Sequence, residues 1–234
     1  MSHSKRIIIS LGGSLLVPDA IDTAFVQQFK DFIVSYIEKG YTFILVTGGG
    51  RTARRYIDAT AEVTEITDDD KDWLGIHATR LNGHFIRTVF REYAHPRINT
   101  NPHDLEDFYN APEPILVAAG WRPGRSTDFC AVLLGRYLDA KRVINLSNID
   151  YAYDKDPREF PDAKKIERTT WAEFRKIVGT EWNPGMSAPF DPIASKMAEE
   201  EGMEVAILNG SDLTNLGHYL DGEAFKGTVV RDES

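Results

Sequence analysis

Five short apolar runs punctuate the chain, at residues 6–11, 42–46, 115–119, 143–146 and 205–208. Their lengths and β-branched content predict buried strands. Between them the apolar positions change spacing. Phe25, Phe29, Phe32 and Tyr36 recur at helical intervals, as do Leu74, Ala78, Leu81, Phe85 and Val89. Further helices are expected to begin near Ser126, Thr169, Pro192 and Ser211, and one carrying Arg51, Arg54 and Arg55 follows the glycines at 48–50. Helices alternating with apolar strands predict an α/β fold, a three-layer sandwich around a largely parallel central sheet. No internal repeat or low-complexity linker divides the sequence, so a single domain over residues 1–234 is expected. Irregular stretches are expected at 64–70, 99–114, 154–168 and 180–192, and the first and last could close over a ligand.

In such sheets ligands sit beyond the C-terminal strand ends, which directs attention to the strand-to-helix turns. Leu11-Gly12-Gly13-Ser14 follows the opening strand, where a close-lying backbone and a hydroxyl can meet a phosphate oxygen. Gly48-Gly49-Gly50 leads into the arginine-bearing helix, joining close backbone approach, a helix N-terminus and positive charge. Gly48, Gly50 and Ala53 formally match the dinucleotide fingerprint. That fingerprint needs an acidic residue closing the next strand, whereas Asp68, Asp69 and Asp70 lie in a polar run leading into a helix, so a Rossmann dehydrogenase is disfavoured.

A third turn, 120–128, reads GWRPGRSTD. Arg125 stands where a Walker A loop has lysine, and three residues rather than four separate the glycines, so it is not a P-loop. Its arginines and hydroxyls fit an anionic acceptor, although Ser126, Thr127 or Asp128 could simply cap the following helix. A fourth turn, at 145–157, combines polar residues, tyrosines and an Asp-Pro step that could shelve a base and ribose, or form an ordinary exposed loop. Together the four turns suit a polyphosphate and a second anion.

Composition narrows the partners. A net charge of −9 argues against a general binder of nucleic acid or anionic membrane, so a phosphate must be met by a local basic cluster. No window approaches a membrane span and the N-terminal apolar run is too short for a signal peptide, so a cytoplasmic location is expected. Cys130 is the one cysteine, which excludes an intrachain disulfide and a cysteine metal cluster, and it reads as a core residue. The histidines show no metal-ligand spacing, and His77 and His84 read as surface or satisfied residues.

Taken in order, LGGSLL (11–16), TGGGRTARRYI (47–57), KDWLGIHATRLN (71–82), GWRPGRSTD (120–128), SNIDYAYDKDP (147–157) and FDPIASKMAEEEG (190–202) resemble the amino acid kinase superfamily. The second, third and last are most similar to its archaeal-type UMP kinases. The resemblance implies an amino acid kinase-like fold and phosphoryl transfer from ATP, accompanied by Mg2+, to UMP. It implies that Gly13, Ser14 and Gly50 hold the ATP phosphates with Arg54 nearby, and that Ser147, Asn148, Tyr153 and Asp156 contact the ATP nucleoside. Gly49 would lie against the UMP phosphate, Asp72 would accept from the ribose hydroxyls, and Trp121, Arg122, Pro123, Gly124, Arg125, Ser126 and Thr127 would wrap the uracil and phosphate. Lys196, in D-P-x-x-x-K, would be the cation near the migrating phosphoryl group and Asp128 would orient it. No protein metal ligand is implied, and the family's common hexamer, built from dimers, is expected.

The sequence departs from the pattern at three positions. Ser10 occupies the place of a lysine common in the superfamily, Tyr151 replaces a glycine, and Trp121 stands where a smaller residue is expected. Ser10 keeps two other readings open: a sister kinase with another phosphate, carboxylate or carbamate acceptor, and a non-catalytic nucleotide- or oxyanion-binding protein.

Overall fold

A computed structural model describes residues 5–157, 159–181 and 188–232. Alternation of apolar strand and amphipathic helix begins at once, with β1 (Arg6–Leu11), the single helical turn α1 (Gly13–Leu16), α2 (Thr23–Glu38) and β2 (Thr42–Thr47). Two helices follow without an intervening strand, α3 (Gly50–Val63) and α4 (Asp68–Val89), before β3 (Ile115–Ala118) and α5 (Thr127–Tyr137). Next come β4 (Arg142–Ser147), the two-residue strands β5 (Ala152–Tyr153), β6 (Lys165–Ile166) and β7 (Arg168–Thr169), and α6 (Trp171–Val178). The chain closes with α7 (Pro192–Glu200), β8 (Glu204–Asn209), α8 (Leu213–Asp221) and β9 (Thr228–Val230).

Seven strands form one sheet in the order β3-β2-β1-β4-β8-β9-β7. The five long apolar strands are parallel to one another, whereas β9 runs antiparallel to β8 and β7 pairs parallel with β9 at the sheet edge. Alternate residues of β1 feed two cores: Ile7, Ile9 and Leu11 join Phe29, Ile33 and Leu216 on one face, whereas Ile8 joins Val132, Phe174 and Ala194 on the other. Helices therefore cover both faces, as a parallel sheet requires. Cys130 lies wholly buried in the second core, and burial pushes its thiol up to about 12.

The irregular stretch expected at 64–70 is shorter in the structure. Thr67 caps α4 by accepting from the Asp70 amide while the Asp70 carboxylate accepts from the Thr67 amide, so the helix starts at Asp68. Its inward face is also rotated from the expected stripe. Ile76, Ala78, Thr79, Asn82, Gly83 and Ile86 are buried, whereas Leu81 is 62% exposed. The β5–β6 hairpin and β7 fall within or beside the stretch expected to be irregular at 154–168, their strands too short to show a period. Among the described residues, no helix is long and apolar enough to cross a membrane.

Candidate active site

Parallel pairing of Leu11 with Thr47 brings the ends of β1 and β2 level, so the two glycine turns emerge side by side. They touch backbone to backbone. A Cβ on Gly13 would lie 2.0 Å from the Gly50 nitrogen, and one on Gly50 would lie 2.2 Å from the Gly13 carbonyl oxygen. Gly50 also has φ +62°, which L side chains rarely adopt. The N-termini of α1 and α3, bearing Gly13, Ser14 and Gly50, thus share one small region where unpaired amides favour an anion. Asn82 on α4 braces this region, its amide donating to the carbonyls of Gly48 (2.7 Å) and Gly49 (3.3 Å). Arg51 and Arg55 are turned to Asp19, at 3.7 and 2.7 Å, whereas the exposed Arg54 has no ion-pair partner among the described residues.

The 120–128 turn is held by the same helix. The Thr79 hydroxyl accepts from the Gly120 amide at 2.8 Å, and Arg80 donates to the carbonyls of Gly120 (3.2 Å) and Trp121 (2.9 Å). Asp72 accepts from the Gly124 amide at 2.6 Å, and Gly124 has φ +74°. Arg122 stacks on the Trp121 ring at 4.0 Å, while His103 meets that ring edge-on at 4.9 Å. Arg125 donates to the Gly124 carbonyl and covers the Phe129 ring. Pro123 and Thr127 are half-buried in the same turn. Ser126, one of three candidate caps, is the one that caps α5, accepting from the Phe129 amide at 3.1 Å.

At the start of α5 lies Asp128, which accepts from the Ser10 hydroxyl at 2.7 Å and the Asn145 amide at 3.0 Å, both on one carboxylate oxygen. Burial pushes its carboxyl up to about 6, aided by the nearby Asp191, while the hydrogen bonds from Ser10 and Asn145 and the Asp191 backbone act the other way. Asp191 is itself buried. One of its oxygens accepts from the Ile193 and Ala194 amides, capping α7, and the other accepts from the Ser126 hydroxyl. It therefore fastens the starts of α5 and α7 together and aims α7 at the site. Lys196 extends from that helix into solvent, 62% exposed, 3.9 Å from Glu200. Lys196 and Asp128 form no ion pair with each other.

Beyond β4, Ser147 and Asn148 begin the fourth turn, and Tyr153 lies half-buried on β5. Asp156 lies near the tip of the β5–β6 hairpin, its carbonyl accepting from the Glu159 and Phe160 amides. Tyr151 does not strain the backbone, since Asp139 is the one non-glycine residue with positive φ among those described. Its ring instead lies beneath Lys165, 4.8 Å away. Six residues, 182–187, of the stretch at 180–192 expected to close over the ligand lie outside the described residues. No group of three or more His, Cys, Asp or Glu able to hold a metal occurs among the described residues.

Sequence reasoning missed Thr79, Arg80, Asn82 and Asp191. The run Thr79-Arg80-Leu81-Asn82 carried a signal: polar residues where a helix packed on a sheet would bury one face.

Residues 5–209 match the Amino acid kinase family. The uridylate kinases of Thermococcus sibiricus and Pyrococcus abyssi are 33% and 32% identical to this chain, each alignment covering 96% of it and 99% of the relative. The crystal structure of uridylate kinase from Archaeoglobus fulgidus superposes with a TM-score of 0.80 at 28% identity, covering 96% of this chain and 99% of that one. UMP kinase from Bacillus anthracis, 18% identical over 99% of this chain and 98% of its own, shares the fold with a TM-score of 0.76. With strand-end glycine turns, a parallel sheet and this extent of similarity, the chain belongs to the amino acid kinase family and groups with its uridylate kinases.

Proposed function

We propose that this protein transfers the γ-phosphoryl group of MgATP to UMP, giving UDP and ADP. The observation that carries the reading is the convergence of two anion-favouring turns and the 120–128 turn on one end of the sheet, the last two braced by α4.

ATP phosphates lie on the amides of Gly13, Ser14 and Gly50 with Arg54 at the rim, and the nucleoside rests against Ser147, Asn148, Tyr153 and Asp156. UMP places its phosphate by Gly49 and the 121–127 turn and its ribose hydroxyls on Asp72. Asp72 has one oxygen engaged by Gly124, so the second oxygen is the one offered to the ribose. Magnesium would enter as MgATP, held largely by phosphate oxygens.

Little covalent work then falls to the protein. The acceptor phosphate is largely ionised near neutral pH, its second pKa being about 6, so no strong general base is needed. Catalysis consists of aligning two anions and stabilising charge on the migrating group. Lys196 swings from Glu200 towards the phosphates to supply that charge, and Asp128 orients its ammonium. A cytoplasmic, homohexameric enzyme fits the same reading.

The test is ADP production from MgATP across UMP, CMP, AMP, GMP and isopentenyl phosphate. Turnover confined to UMP supports the proposal. Turnover with another acceptor would replace the substrate, and ATP binding without turnover on any would replace the activity.

A further inference from the structure

Two strands and one helix deliver oxygen atoms to one buried point. Ser10 and Asn145 are register partners on β1 and β4, 4% and 8% exposed, and both donate to Asp128. With the Asn145 amide nitrogen committed to Asp128, its side-chain oxygen is left buried with no hydrogen-bond partner. The Ser147 hydroxyl, two residues along the same face of β4, is likewise buried and unpartnered. Unmet acceptors of this kind are costly and call for an occupant.

Charge says what the occupant is. Asp128 and the neighbouring Asp191 bring two carboxylates, and among the described residues no Lys, Arg or His forms an ion pair with either. A bare donor such as water would satisfy the amide oxygen and leave the charge uncompensated. Asp191 has both oxygens occupied by Ser126, Ile193 and Ala194, so only one carboxylate remains to share. One carboxylate among neutral oxygens, with no third acidic or imidazole group among the described residues, suits a large, weakly hydrated ion rather than a divalent one.

We propose that Asp128, the Asn145 side-chain oxygen and the Ser10 and Ser147 hydroxyls bind a monovalent cation of potassium size. The ion places positive charge beside Asp128, where a lysine at position 10 would otherwise reach.

Thermal unfolding of the nucleotide-free protein at fixed ionic strength, in potassium chloride against tetramethylammonium chloride, tests this without reference to the acceptor. Potassium should raise Tm saturably in the wild type, and Ser10→Lys, whose ammonium takes the ion's place, should lose that response. Equal wild-type Tm in the two salts would overturn the proposal, as would an undiminished potassium response in Ser10→Lys. Should Ser10→Lys fail to fold, Asn145→Ala provides the same contrast: its half-saturating potassium concentration should rise at least tenfold, and an unchanged value would overturn the site.

Discussion

Gly13 and Gly50 meet backbone to backbone, and neither position has room for a single additional carbon. The contact joins the ends of two parallel strands and sets the spacing of two helix N-termini. Gly50→Ala adds a Cβ against the Gly13 carbonyl and at a positive φ. The variant should lose roughly 1–3 kcal/mol of stability from backbone strain. ATP affinity should fall further than UMP affinity, measured by calorimetry on variant that remains folded. Equal losses for both nucleotides would remove the turn from the ATP side.

Arg80 reaches two carbonyls of the 120–128 turn with its forked guanidinium, which a lysine cannot reproduce. Arg80→Lys should raise the UMP KM roughly tenfold, the effect of about 1.4 kcal/mol of lost loop positioning. Since Arg80 lies outside the reacting groups, kcat should change much less. A fall in kcat with KM unchanged would show that the turn is not set by this clamp.

Asp128 is a charge that burial disfavours, with its carboxyl raised to about 6. Asp128→Asn removes that charge and keeps an oxygen to accept from Ser10. The unliganded variant should be more stable near neutral pH, on the order of 1–3 kcal/mol, in denaturant titrations without potassium. Turnover should fall at least about a hundredfold. Stability and activity moving in opposite directions marks a charge kept for chemistry, whereas a less stable variant would make Asp128 a structural residue.

Lys196 rests beside Glu200 in the free protein, largely exposed. If it stabilises the migrating phosphoryl group, Lys196→Ala should lower kcat on the order of 100- to 1,000-fold while UMP affinity hardly changes. An unchanged kcat would leave Lys196 as a solvated helix lysine.

How much of this was visible in the sequence varies by element. The five central strands were legible because β1, β2, β3, β4 and β8 are apolar on both faces, and the strand-end rule then located the glycine turns. β5, β6 and β7 were not, since two residues carry no period. On α4, Leu81 belongs to the apolar stripe read from the sequence yet is 62% exposed, whereas Asn82 is buried. At Thr79 and Asn82 that helix meets turn backbone, and the two residues are inside because they serve carbonyls and amides. Asp191 was hidden differently: a cap is local, but its second oxygen bonds Ser126, 65 residues away. The Ser10 departure could be seen in the sequence, while its bond to Asp128 depended on packing across 118 residues.

In the proposed reaction MgATP and UMP lie together across the glycine turns, and the phosphoryl group passes directly between them. Initial rates of UDP formation with both substrates varied test it most directly. Intersecting double-reciprocal lines, with no phosphorylated enzyme trapped from ATP alone, are the expected result. Parallel lines together with a phosphorylated enzyme would contradict it.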